Sequence, residues 1–202
     1  MLPVIEALAK AGALVSVDTR LASTAAKALD AGATIVNDVS GLAVTDEMIR
    51  LVAERDAYYV LMHTRGDSKS MDGLASYGDV VEDVIAETLK VRDRLRAGGV
   101  SDARIILDPG LGFAKHGEQN WELVKHVGRF TALGYPVLVA ASRKRFLGEL
   151  LTSAGKAAEP KQRDAATAAI TALAAAAGAW GVRVHDVAAN LDAVKVAARA
   201  KA

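Results

Sequence analysis

Six times along this chain a short apolar run closes on a polar residue and gives way to a helical stretch, and this alternation constrains the fold more than any other feature. The runs are Leu14–Thr19, Thr34–Val39, Tyr58–His63, Ile105–Gly110, Pro136–Ser142 and Gly181–Asp186. Their length and their Val, Ile and Leu content predict strands. They are apolar nearly throughout, as strands covered on both faces must be. The helical stretches are Pro3–Ala11, Leu21–Ala31, Thr45–Arg55, Asp79–Ala97, Glu118–Leu133, Lys161–Ala177 and Val187–Ala200. Most of them stop at glycine (Gly32, Gly98, Gly134, Gly178), a residue suited to the left-handed turn beyond a helix end. Thr45 opens its helix without the acid of a full capping box, since Met48 stands three residues on.

Strict alternation predicts a parallel sheet. A (β/α)8 barrel and an open doubly wound sheet both satisfy it, and element order alone does not separate them. No linker or compositional break divides the chain, so residues 1–202 are expected to form one domain. The charge balance, 25 basic against 24 acidic side chains, gives no reason to expect a nucleic-acid or membrane-surface partner. With no cysteine, disulfides and thiolate metal sites are excluded. The opening MLPVIEALAK lacks a basic flank and makes a poor export signal, so a cytoplasmic protein is expected. The longest apolar stretch, Ala165 to Trp180, is Ala-rich and shorter than the about 20 residues of a membrane span, so it is expected to be a buried helix. Arg65–Tyr77 and Thr152–Pro160 are the longer polar loops, and both lie beyond strand C-termini, where a barrel keeps its functional loops.

What stands at the strand ends is the second constraint. Asp18 ends the first run, Asn37 and Asp38 the second, His63 the third and Asp108 the fourth. Ser142, Arg143 and Lys144 follow the fifth, and Arg183, His185 and Asp186 end the sixth. Any one of these reads equally well as a strand terminator or helix cap. All six strands ending this way, with acids early and bases late, point to a site. Asp18, Asn37 and Asp108 offer acceptor oxygens, and a carboxylate can take two parallel hydrogen bonds from an amidine-like edge. Lys144, Arg183 and His185 offer donors and positive charge for a phosphorylated or anionic group.

Other candidates read as structural. His63 has no second ligand at metal spacing and is expected to be a pocket wall or a satisfied core histidine. His116 and His126 are expected in solvent, and Trp121 and Trp180 in packing. Gly110-Leu111-Gly112 lacks the Gly-Lys-Ser/Thr ending of a phosphate loop and is expected to be a turn over the pocket. Arg145 is expected at the surface. No Ser-His-Asp arrangement or nucleophile elbow is present, so no covalent intermediate is expected.

Six segments, in order, resemble the strand-end motifs of the dihydropteroate synthase family: VDT at Val17–Thr19, NDVSG at Asn37–Gly41, LMHTRG at Leu61–Gly66, DPGLGFAK at Asp108–Lys115, SRKRFLG at Ser142–Gly148 and RVHDV at Arg183–Val187. VDT and ND are weak alone, whereas the last three together are highly specific. The resemblance spans essentially the whole chain and is strongest to actinobacterial members. It implies a (β/α)8 barrel of which strands 3 to 8 are present. It also implies a transferase of folate biosynthesis that joins p-aminobenzoate to 7,8-dihydropterin-6-ylmethyl diphosphate. Carried over by motif, Asp18, Asn37, Asp108 and Lys144 hold the pterin, while Met62 and Phe113 flank its ring or the neighbouring group. Arg183 and His185 hold the diphosphate, and Ser142 and Lys144 border the aminobenzoate site, where sulfonamides bind in this family. Lys144, Arg183 and His185 are thus the expected catalytic residues.

The family's Asn-x-Thr-Pro-Asp-Ser-Phe and Ser-Thr-Arg-Pro-Gly segments do not occur here. They carry loops over the substrates and the Asn that helps hold magnesium with the diphosphate. The resemblance therefore implies a barrel incomplete at its N-terminal side, with the first and last strands as unpaired edges, and pterin binding with little turnover. Two alternatives share the pterin positions: a pterin-binding methyltransferase domain, which needs neither SRK nor RVHDV, and a remnant that binds pterin without catalysis. The Ala-rich C-terminal helices, through which family members pair, lead to the expectation of a homodimer.

Overall fold

The fold, a computed structural model, describes residues 1–67 and 69–201. The apolar runs become strands and the amphipathic stretches become helices in the anticipated order. After α1 (Leu2–Lys10) come β1 (Ser16–Asp18), α2 (Ala22–Asp30), β2 (Ile35–Asp38), α3 (Asp46–Glu54), β3 (Tyr58–Met62), α4 (Val80–Ala97) and β4 (Ile105–Asp108). There follow α5 (Gly117–Lys125), α6 (Val127–Thr131), β5 (Leu138–Val139), α7 (Arg145–Leu150), α8 (Asp164–Ala176), β6 (Gly181–Val182) and α9 (Val187–Lys201).

All strand pairs are parallel, and neighbours in space are neighbours in sequence: β1-β2-β3-β4 in one ladder and β5-β6 in another. A parallel bridge between Leu107 and Val137 joins the ladders, with the Leu107 amide donating to the Pro136 carbonyl at 2.8 Å. A doubly wound sheet reverses its strand order at a switch point; this sequential order does not. The sheet also curls. In a flat sheet the edge strands β1 and β6 would stand about 24 Å apart, five spacings of about 4.8 Å. Yet the Arg183 guanidinium lies 3.6 Å from the Asp18 carboxylate. The architecture is therefore six consecutive strands of a (β/α)8-type barrel.

The main apolar core fills the layer between the outer face of the sheet and the helices. Val36, Tyr59, Leu61, Ile105 and Leu107 project outward against Met48, Leu95, Leu123 and Phe130. The strand period of two sends their neighbours inward. That period separates two residues that the sequence left together: Asn37 faces the interior, whereas Asp38 faces the helices. There Asp38 accepts the Tyr59 hydroxyl at 3.0 Å and the Ser40 amide at 2.8 Å. Thr45 caps α3 by accepting the Met48 amide at 3.2 Å. Among the described residues no helix is long and apolar enough to cross a membrane.

Three expectations need correction. The stretch Glu118–Leu133 is two helices, broken at His126, whose backbone leaves the helical region (φ −111°, ψ 23°) while its amide and its ring both reach the Glu122 carbonyl. The short α7, directly after Lys144, is a helix beyond the seven anticipated stretches. Trp180 is not a packing residue; it is 55% exposed and lines an interior cavity beside Arg183.

Leu107 occupies the joint between the ladders and is fully buried. Leu107→Ala is expected to destabilise the fold by about 2–5 kcal/mol, the range for opening a cavity in a packed core. Denaturant unfolding reads this as a lowered midpoint, and an unchanged midpoint would mean that the joint relaxes around the loss.

Candidate active site

Because all the strands run one way, their C-terminal ends share one mouth, and the inward-facing polar residues meet there. Asp108, the last residue of β4, is 3% exposed and accepts the Gly110 amide at 2.7 Å. Burial pushes its carboxyl pKa above the usual range, opposed by the positive charge of Lys144. Met62 is its register partner on β3 and shares its face.

Lys144 arrives from the other side, at the N-cap of α7, just after Arg143 in the left-handed region (φ 59°). The Arg143 guanidinium is held by two contacts of 2.8 Å to the Asp164 carboxylate, which anchors this turn to α8. The Lys144 ammonium donates to the Leu111 carbonyl and lies 4.6 Å from the centre of the Phe113 ring. A side chain at position 112 would press into the lysine stem, so Gly112 makes the room it needs. Burial lowers the Lys144 pKa to about 8, with the Asp108 carboxylate acting in the opposite direction.

A second group of contacts spans the barrel interior. Asn37 donates to the Asp18 carboxylate at 3.0 Å, and Arg183 reaches the same carboxylate. These residues line a cavity of about 290 Å³ with Ser16, Val60 and Trp180. Ser142 Oγ accepts the His185 amide at 3.1 Å and pairs with its ring Nδ1 at 2.8 Å, which orients the ring and leaves Nε2 for a ligand. Beyond Phe113 and Lys144 a cavity of about 350 Å³ opens toward Met71, Arg145 and Phe146.

The nine anticipated residues thus form three contact groups on one face: Asp108 with Met62, Lys144 and Phe113; Asp18 with Asn37 and Arg183; and Ser142 with His185. His63 is the satisfied histidine expected, buried with its ring Nε2 2.9 Å from Glu87. Burial holds its pKa down to about 4, so the ring is neutral near pH 7. His116, His126 and Arg145 are exposed, and Trp121 packs edge-on against Phe146 with centroids 5.1 Å apart.

The residue the motif analysis did not single out is Lys115. It is buried, and its ammonium lies 2.9 Å from His63 Nδ1, 3.1 Å from the Gly110 carbonyl and 2.9 Å from the Phe113 carbonyl. Burial lowers its pKa to about 7. Only its place at the end of the DPGLGFAK segment marked it. Among the described residues no group of three or more His, Asp or Glu side chains could hold a metal.

The face therefore offers a buried carboxylate and amide for a donor-rich ring and two cations with an oriented histidine for an anion. Comparison with known proteins agrees. A family model described as pterin binding enzyme matches residues 1–185. The dihydropteroate synthase of Mycobacterium leprae (strain TN) is 50% identical over 97% of this chain and 70% of its own length. That of Synechocystis is 41% identical over 97% of this chain and 67% of its own. Among solved structures, dihydropteroate synthase from Yersinia pestis with a sulfonamide drug complex superposes with a TM-score of 0.92 at 31% identity, covering 99% of this chain and 71% of that one. The Thermus thermophilus enzyme in complex with 6HMPPP gives 0.90 at 39% identity, covering 98% and 77%. On its motifs, its strand order and these relatives, the chain belongs to the pterin-binding enzymes, in the dihydropteroate synthase family.

Proposed function

We propose that the chain condenses p-aminobenzoate with 7,8-dihydropterin-6-ylmethyl diphosphate, forming dihydropteroate and releasing diphosphate. The observation that carries this reading is the buried Asp108 carboxylate on the inner face, in register with Met62 and within electrostatic reach of the Lys144 ammonium. A pterin presents a 2-amino group and N3–H to a carboxylate, and a ring carbonyl with its adjacent nitrogen to an ammonium. Asn37 and Asp18 complete the pterin edge, and Met62 and Phe113 flank the ring. Solved relatives from Thermus thermophilus hold 4-aminobenzoate and 6HMPPP, which supports the same two substrates here.

The reaction breaks the C–O bond between the pterin methylene and diphosphate. The aminobenzoate nitrogen lone pair forms the new C–N bond, and the nitrogen then releases a proton to solvent. Arg183 and His185 stabilise the charge growing on the leaving oxygens, an effect worth several kcal/mol when donors are fixed in advance, on the scale of about 3 kcal/mol for one oxyanion donor. The aniline nitrogen is already nucleophilic, so holding it in line near Ser142 and Lys144 is most of what remains. Magnesium travelling with the diphosphate is part of this reading, but the described residues do not fit a metal cage, and no step is drawn through it. A cytoplasmic location belongs to the same reading. A methyltransferase would have no use for Arg183 and His185 at the anion end.

Incubation with both substrates should yield dihydropteroate and diphosphate in equal amounts, and Asp108→Asn should weaken pterin binding by about 1–3 kcal/mol, the scale of a charge-assisted hydrogen bond. Calorimetry that finds the variant unchanged would remove Asp108 from the pterin site.

The lowered Lys144 pKa sets a pH dependence. The donor form is present below about pH 8 and is lost as pH rises through it. Pterin affinity should therefore fall across that interval. Lys144→Met should bind weakly below it and show no fall of its own, and a retained limb would assign the titration elsewhere.

The chain is also proposed to pair with a second copy through α8 and α9. These two helices pack on each other and leave Leu173, Val187, Leu191 and Val196 exposed. Sedimentation should give twice the mass of 21.1 kDa, and a monomer at micromolar concentration would reject the pairing.

A further inference from the structure

The Gly110–Phe113 turn is gripped from two sides by ammonium groups. On the site side Lys144 donates to the Leu111 carbonyl. On the other side Lys115 takes the carbonyls that flank it in the turn, Gly110 and Phe113. The third donor of Lys115 goes to His63 Nδ1 at 2.9 Å. The three N–H groups of an ammonium thus have three acceptors. His63 can accept there because its Nε2 faces the Glu87 carboxylate, which fixes the proton on the far nitrogen. Glu87 is held in turn by the Arg65 guanidinium, at 3.0 Å through Nε and through a second contact to its other oxygen. Arg65 stacks 3.9 Å above Tyr77, whose hydroxyl donates to the Ala114 carbonyl at 2.9 Å and closes a ring of contacts back onto the same loop.

The turn is also closed by the Phe113 amide, which donates to the Gly110 carbonyl at 3.1 Å, and the Gly110 amide donates to Asp108 at 2.7 Å. Gly110 and Gly112 both have positive φ, and Gly110 lies so close to the His63 carbonyl that a Cβ would overlap it. The Gly112 amide is held by Asn120 at 2.5 Å. Lys115 also borders the cavity beyond Phe113 and Lys144, but its ammonium is engaged with the turn and with His63, so it bears on a ligand at Asp108 through the turn.

We propose that Lys115 is a positioning residue for the pterin site: its ammonium fixes the Gly110–Phe113 turn so that the Leu111 carbonyl and the Phe113 ring hold Lys144 beside Asp108. This rests on the pterin reading above. An apolar side chain of the same length would fill the space, leave the Phe113 carbonyl without its ammonium donor and leave the buried Gly110 carbonyl with the Phe113 amide alone. The turn then loses its register, and Lys144 and Phe113 lose theirs with it.

The chain has no cysteine, which permits a rescue at this one position. Lys115→Cys, unfolded, alkylated with 2-bromoethylamine and refolded, regains an ammonium at lysine length. Binding of 7,8-dihydropterin-6-ylmethyl diphosphate is measured by calorimetry for the wild type, Lys115→Met, Lys115→Cys, the aminoethylated chain and Asp108→Asn. Lys115→Met and Lys115→Cys should each lose affinity by about tenfold or more, the scale of a lost charge-assisted contact, and aminoethylation should restore it to within roughly threefold of wild type. Lys115→Met binding within roughly threefold of wild type, or an aminoethylated chain no tighter than its Cys parent, would overturn the proposal. If the uncharged variants do not fold, an aminoethylated chain that folds but binds no tighter than Asp108→Asn overturns it as well. Weakened binding in Asp108→Asn with normal binding in Lys115→Met removes only the positioning role. Normal binding in Asp108→Asn removes the pterin reading, and this inference with it.

Discussion

The parallel pairing of six strands in sequence order is the constraint on which everything else depends. It places every strand C-terminus at one mouth, so six short polar segments far apart in sequence become neighbours. It also fixes which residues face inward, since a slip of one residue in any ladder would exchange inner and outer sets. The bridge at Leu107 carries that register across the weakest point of the sheet, where the ladder of four meets the ladder of two.

The two faces then divide the work of the chain. Outward residues pack against helices and supply the apolar core. Inward residues have less apolar contact to make, and the mouth can hold charge at close quarters. Such charge is tolerable in a buried place only with partners. Asp108 has the Gly110 amide and a nearby ammonium, and Lys115 has the turn carbonyls and His63, whereas the half-exposed Asp18 and Arg183 pair in reach of solvent.

Much of this was legible in the sequence because a barrel writes its site at the ends of its apolar runs. Asp18, Asn37, Asp108 and Arg183 could be read from position alone, and the DPG, SRK and RVHDV segments gave the ligand class. What could not be read depends on register or on backbone groups. Asn37 and Asp38 are adjacent letters, and only the pleat tells the inward residue from the one that serves Tyr59. Lys115 looks like any motif lysine, because its partners are mainly carbonyls that a tight turn gathers, and a sequence does not display carbonyls. The break at His126 is a single residue leaving the helical backbone region, a local departure that helical periodicity conceals. Trp180 read as packing because its neighbours are apolar, whereas its place beside an edge strand turns it toward the interior.

The charged groups of the site already have partners within the protein. Lys144 is engaged with Leu111, and Arg183 with Asp18. A ligand therefore competes with the protein's own groups, and its affinity is the difference between two sets of contacts. An inorganic anion that draws Arg183 away costs Asp18 little, since both side chains are half exposed and Asn37 still donates to the carboxylate. A ring without a suitable acceptor cannot displace the Leu111 carbonyl from Lys144. A molecule with a donor edge at one end and negative charge at the other replaces what it removes at both places. Self-pairing thus favours compounds matched at the Lys144 end, where burial makes a lost partner costly, over those matched only at the open Arg183 end.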